Sequence, residues 1–245
     1  MRLKLISCEV IFREMCDAVA HAPHQVDVEF LPKGLHDIGA ADMRKSLQGA
    51  VDRTDAALYD AILMGYGLCG NGLSGLRARA IRLVIPRAHD CIALLFGSRH
   101  KYREYFEQNP GVYFRSTGWL ERGQSLAQLA QLRTGIGTTL EELIAKYGED
   151  NGRYLYEQLY RYENAYRQLT FIETGLEPDG NFERQSREEA AQKGWTFGKV
   201  RGDLNLFRRF VSGDWGAEDF LVVEPGFEIA ALYDTDVIAA RRSAA

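Results

Sequence analysis

The chain has 245 residues, of which 46% are hydrophobic and 26% charged, with a formal net charge of −4. Such a composition builds a core instead of staying disordered, and it supplies no bulk electrostatic pull toward nucleic acid. No apolar run reaches the roughly 20 residues of a membrane helix. The N-terminal MRLKLISCEVIFREMC meets charges too early to be a signal peptide, so no membrane association and a cytoplasmic location are expected.

In chain order, Leu3 to Ser7 predicts a buried strand and Val10 to Ala20 a helix. Val26 to Leu31 is a second strand, Ala40 to Ala57 a helix, and Ala61 to Gly65 a third strand. A glycine-rich turn follows, then a short helix over Ser74 to Arg79 and a fourth strand, Ile81 to Ile85, closed by Pro86. Helices are expected from Cys91 to Phe96 and His100 to Gln108, and a strand from Val112 to Phe114. Residues 125–168 read as a helical insertion. In it, Thr139 and Glu142 form a capping box, Gly148 is a stop, and a tyrosine-crowded helix runs from Arg153 to Arg167. Those tyrosines are expected to pack, since no basic groove accompanies them. Strands at Leu169 to Glu173, Trp195 to Val200 and Phe220 to Val223 alternate with helices at Phe182 to Lys193 and Leu204 to Ser212. The alternation predicts a single α/β domain over 1–245, Rossmann-like, its sheet mostly parallel with helices on both faces.

The chemistry concentrates at strand ends. Cys8 follows the first strand, Cys69 the third and Cys91 the fourth, and ligands of open α/β sheets bind outside the carboxyl ends of the strands. Thiolates are ligands for zinc, iron–sulfur clusters and other soft metals. If the chain stays extended there, His89 points to the same side as Cys91 and can be a fourth ligand, or a base or donor beside the site. The spacing is not CxxC, and buried cysteines are often mere packing, which is the expectation for Cys16. Cys69 or Cys91 with His89, and Asp90 orienting the imidazole, is the metal-free nucleophile alternative. Gly67, Gly70, Asn71 and Gly72 either cradle a phosphate-bearing cofactor or form a tight turn that holds Cys69. Glu173 and Glu224, at strand ends, are candidates for general acid or base. Arg77, Arg79, Arg82 and Arg87 around the turn read as a solvated basic edge or an anion site, and His21, His24, His36 and His100 as surface residues.

Tyr66 to Gly72 (YGLCGNG), Pro86 to Cys91 (PRAHDC) with Gly97-Ser98, Thr117 to Glu121 (TGWLE), Gly202-Asp203-Leu204, and Asp219 to Val223 with Pro225-Gly226 together resemble the DUF1638 family over nearly the whole chain. The resemblance implies a setting beside corrinoid-dependent methyltransferase systems. A corrinoid is then a candidate cofactor, a corrinoid protein or methyltransferase a candidate partner, and the case for a metal at Cys8, Cys69 and Cys91 is strengthened. His89-Asp90-Cys91 is also similar to the His-x-Cys of zinc enzymes that move a methyl group from a corrinoid to a thiol. Those are (β/α)8 barrels whose second cysteine comes later in the chain, whereas here no cysteine follows Cys91, so Cys69 or Cys8 has to serve. The expected function is a zinc or iron–sulfur thiolate site acting in methyl or one-carbon transfer. The alternatives are a non-catalytic metal or corrinoid carrier and an enzyme with a cysteine nucleophile.

Overall fold

A computed structural model describes residues 1–122, 140–153 and 166–243. The chain forms a mixed α/β structure around a mostly parallel sheet. Strand β1 (Arg2–Cys8) pairs in parallel with β2 (Gln25–Leu31) on one side and β3 (Ala61–Gly65) on the other. Strand β4 (Leu83–Pro86) continues the parallel row. Residues of β3 and β4 are buried at every position, as the unbroken apolar runs AILMG and LVIP require of strands covered on both faces.

Alternate residues of these strands feed two cores. Leu3, Leu5, Leu63 and Val84 face one layer, which includes Met15 and Ala18 of α1 (Phe12–Ala20) and the short α3 (Cys91–Leu95). Ile6, Ile62, Met64 and Ile85 face the other, which includes Met43, Leu47 and Val51 of α2 (Ala40–Arg53). The helices α4 (Arg99–Gln108) and α5 (Thr117–Glu121) flank β5 (Val112–Ser116).

The next three strands do not extend the first sheet. β5, β6 (Gln168–Glu173) and β7 (Thr196–Arg201) form a second parallel sheet in the order β5-β6-β7. Helix α6 (Leu140–Tyr147) lies in the span expected for the insertion, and Gly148 ends it at φ +80° with its N–H on the Ile144 carbonyl. Most of that span falls outside the described residues, as does nearly all of the expected helix from Arg153 to Arg167. Helix α7 (Asn181–Gln192) crosses from β6 to β7, and α8 (Asn205–Val211) packs Phe207 and Phe210 into the first core.

Three expectations change. β8 (Phe220–Val223) joins β4 antiparallel, which sends Glu224 to the edge opposite the carboxyl ends of β1, β3 and β4. Residues 74–79 form no helix: six residues containing Gly75 at φ +84° do not nucleate one. Ser74 and Gly75 complete a turn instead, and beyond it Arg77 bridges Glu228 of β9 (Phe227–Ala231). β9 forms an unexpected hairpin with β10 (Ile238–Arg242), which sets Ile229 and Ile238 into the second core. Among the described residues no helix is long and apolar enough to cross a membrane.

The two sheets meet at their carboxyl ends. A Cβ on Gly118 of α5 would lie 1.7 Å from the Val10 carbonyl oxygen, so only glycine lets α5 touch the 3-10 turn Glu9–Ile11 that follows β1.

Candidate functional site

Past the end of β3 the chain does not leave the sheet at once. Leu68 N–H donates to the Ala88 carbonyl and Cys69 N–H to the His89 carbonyl, both at 2.8 Å. Gly67 allows this close approach: a Cβ there would sit 2.6 Å from the Asp90 nitrogen. Cys69, Gly70 and Asn71 then take three successive positive φ values, +47°, +62° and +71°. A left-handed backbone is costly for the non-glycine residues, and such strain concentrates where a structure holds a side chain in a required place.

The two strand extensions form a wall with a cavity on each side. On one side Cys8, Cys69 and Cys91 line a common pocket of about 290 Å³, together with Tyr66, Lys33 and Trp119. No disulfide joins any of the cysteines. Trp119 reaches the pocket from α5, and its indole N–H donates to Cys91 Sγ at 3.3 Å. Lys33 Nζ stands 4.3 Å above the Trp119 ring. Tyr66 lines the same pocket and is 2% exposed, and its buried hydroxyl has no hydrogen-bond partner among the described residues.

Burial, then the charges of Cys8 and Asp90, push the Cys69 thiol up to about 12. Burial also drives Cys91 well above the ordinary thiol value, reinforced by Asp90, Cys69 and Cys8 and opposed by the Trp119 hydrogen bond. Both groups are therefore neutral thiols at pH 7. As placed, no three His, Cys, Asp or Glu side chains among the described residues stand close enough together to hold a metal ion.

On the other side of the wall a larger cavity, about 730 Å³, is lined by Leu68, Asn71, His89, Arg99, His100 and Arg103, with Tyr233 and Phe106 among its aromatic groups. His89 is thus in the neighbouring cavity and exposed, not among the residues lining the cysteine pocket. The extended stretch that would have aligned it with Cys91 stops at Asp90. Asp90 Oδ1 accepts the Ala93 N–H at 2.9 Å and caps α3, so Cys91 already belongs to a helix. Asp90 Oδ2 accepts the Tyr102 hydroxyl at 3.2 Å, so this carboxylate braces the wall and orients no imidazole.

The remaining candidates divide as follows. Gly67 and Gly70 line the thiol pocket and Asn71 the larger cavity, whereas Gly72 faces the core, where a Cβ would lie 2.2 Å from Met43 Sδ. Glu173 ends β6 in the second sheet and pairs with Lys199 at 3.0 Å, away from both cavities. Glu224 is exposed at the far edge. Arg77 and Arg79 pair with Glu228 and Asp52, Arg87 donates to main-chain carbonyls, and Arg82 lies over the Trp215 ring. Trp119, Tyr66 and Lys33 in the thiol pocket, and Arg99 and Arg103 in its neighbour, have no role legible in the sequence. The apolar-glycine step TGWLE, opened by the Ser116 cap, was the available signal for Trp119.

A protein-family model described as "Protein of unknown function (DUF1638)" matches residues 30–211, well over half of the chain. No curated protein and no solved structure matches it.

Proposed function

The chain belongs to the DUF1638 family, and from that premise we propose that the pocket shared by Cys8, Cys69 and Cys91 is a soft-metal thiolate site serving methyl or one-carbon transfer beside corrinoid-dependent methyltransferases in the cytoplasm. The carrying observation is the convergence of three thiols, from three strand ends far apart in sequence, on one small pocket that Tyr66 also lines. We read the β2-β1-β3-β4 core as a Rossmann-like half, whose carboxyl edge is where ligands bind.

The donor chemistry fits zinc or an iron–sulfur cluster, since sulfur is the preferred ligand of both. Cys8, Cys69 and Cys91 would hold it once their side chains turn inward from their present spacing. A soft cation there would keep the three sulfurs as thiolates, at Cys69 and Cys91 against the upward push of burial. The chain's own groups do the rest. Trp119 orients Cys91 through its N–H, and Tyr66 walls the pocket beside the thiols. Cysteine nucleophiles work with depressed pKa values, so the raised values of Cys69 and Cys91 weigh against the metal-free nucleophile.

Metal content and the UV–visible spectrum of anaerobically purified protein test the proposal, with Cys8→Ser, Cys69→Ser and Cys91→Ser alongside. The expected result is about one zinc per chain, or a cluster spectrum, lowered by each substitution. Protein that takes up neither zinc nor iron when supplied would overturn it. With metal present, turnover of a methyl-corrinoid with a thiol acceptor separates an enzyme from a non-catalytic carrier.

A further inference from the structure

We infer that the larger cavity binds a nucleoside phosphate, with the phosphate against Arg99, His100 and Arg103 and the base on Tyr233 and Phe106. At about 730 Å³ the cavity has the capacity of a site for a ligand of that size.

Two arginines and His100 of its lining are loosely partnered. Arg99 Nη2 stands 3.6 Å from Asp236, Arg103 Nε 3.9 Å from Glu107 and His100 Nε2 4.0 Å from Glu218. All three exceed hydrogen-bond reach. By contrast, Arg13 with Glu121 and Arg115 with Glu189 both make two-pronged contacts at 2.8–2.9 Å. The Arg99 side chain is only 12% exposed, yet its Nε and Nη1 have no hydrogen-bond partner among the described residues. A desolvated guanidinium without an acceptor calls for an oxyanion.

Helix α4 adds to the same field. It opens Arg99-His100-Lys101 with no acid in its first turn, although a helix start favours negative charge. A bound phosphate supplies that charge. The Ser98 hydroxyl already accepts the His100 and Lys101 N–H groups, so the side chains, more than the main chain, are left to hold the anion.

The aromatic rim points to the other half of the ligand. Tyr233, on the turn between β9 and β10, is 99% exposed, and Phe106 is 48% exposed on α4. Flat rings open to solvent beside a cationic cavity are platforms for a base. Asp234, also on the rim, disfavours a bare polyanion and suits the donors of a base or ribose. None of this depends on a metal in the thiol pocket.

The test is calorimetric titration of the full chain with the 5′-monophosphates of adenosine, guanosine, cytidine and uridine, with inorganic phosphate and the four nucleosides as the separated halves. At least one monophosphate is expected to bind about tenfold more tightly than phosphate or its own nucleoside. Arg103→Ala and Tyr233→Ala, both at exposed positions, are each expected to weaken it by about tenfold. Added KCl should weaken binding to the wild type and less so to Arg103→Ala. Cys69→Ser should bind like the wild type, which keeps failure here distinct from failure of the thiolate site. Monophosphates that bind no better than phosphate, or the two variants binding as the wild type does, would overturn the proposal.

Discussion

The two cavities share a wall and differ in almost everything else. The pocket on the cysteine side is small and lined by sulfur, aromatic and aliphatic groups. Its charged residues are engaged, Asp90 in capping α3 and Lys33 over the Trp119 ring. The cavity on the histidine side is more than twice as large and cationic. One pair of strand extensions builds both, because Cys69, Gly70, Asp90 and Cys91 line the first while Leu68, Asn71 and His89 line the second. Desolvation acts on both with opposite chemical results. In the first it holds thiols neutral until something positive arrives. In the second it leaves a guanidinium that cannot become neutral, with Nε and Nη1 short of an acceptor among the described residues.

The largest effect expected from this contrast is in thiol reactivity. With Cys69 raised to about 12, its thiolate fraction in metal-free protein at pH 8 is about 10⁻⁴, roughly a thousandfold below that of an unperturbed thiol. Iodoacetamide labelling of Cys69, followed by mass spectrometry, should therefore accelerate about tenfold per pH unit up to at least pH 10. A plateau near pH 8 would mean that the pocket is not the neutral environment described, and would revive the nucleophile.

Two glycines sharpen the comparison next. Gly118→Ala drives a Cβ into the Val10 carbonyl, and Gly67→Ala drives one into the Asp90 main chain. In both cases the obstacle is backbone, so each variant is expected to lose about 3 kcal/mol or more in urea denaturation. They should differ in reach. Gly118→Ala moves Trp119 away from Cys91 and disturbs only the thiol pocket, leaving monophosphate binding in the folded fraction. Gly67→Ala displaces the shared wall, so metal uptake and monophosphate binding fall together. Equal effects on both sites from both variants would mean that the wall does not separate them.

Part of this contrast is legible in the sequence and part is not, for physical reasons. The apolar runs at Leu3, Ala61 and Leu83 specify buried strands, and with them the placing of Cys8, Cys69 and Cys91 at one edge. The direction of β8 is not written in FLVV, which is apolar whichever way it runs, and the position of Glu224 depends on that direction. His89 falls on the other side of the wall because Asp90 ends the extended stretch one residue earlier than alternation assumes. Trp119 reaches Cys91 through Gly118 against Val10, a contact between segments more than a hundred residues apart that no local pattern contains. The arginines nearest the glycine turn stand out in the sequence, yet they are spent on Glu228, Asp52, carbonyls and an indole ring. Arg99 and Arg103 read as an ordinary helix start until the buried, unpartnered nitrogens of Arg99 are seen.

The smallest expected effect concerns a group outside both cavities, and it calibrates any pH experiment on either. Glu14 of α1 is 2% exposed, with Oε1 accepting the Thr174 hydroxyl at 3.1 Å and Oε2 without a partner among the described residues. Burial raises its carboxyl to about 7, with Glu177 adding to the rise and the main-chain and Thr174 hydrogen bonds and Arg13 opposing it. The folded state therefore holds a proton that the unfolded chain releases near pH 4.5, and stability falls as pH rises from about 4.5 through about 7. Above that range the charged, buried carboxylate costs roughly 3–4 kcal/mol at most, since each tenfold change in proton affinity is worth about 1.4 kcal/mol. Glu14→Gln keeps the shape and removes the titration. It should be more stable than the wild type at pH 8 and about equal to it at pH 4.5, as read by urea denaturation at the two values. Because Glu14 touches neither cavity, thiol labelling of Glu14→Gln should keep the steep pH dependence of the wild type. A dependence that flattens in this variant would show that the labelling reports opening of the whole fold and not titration of the thiol.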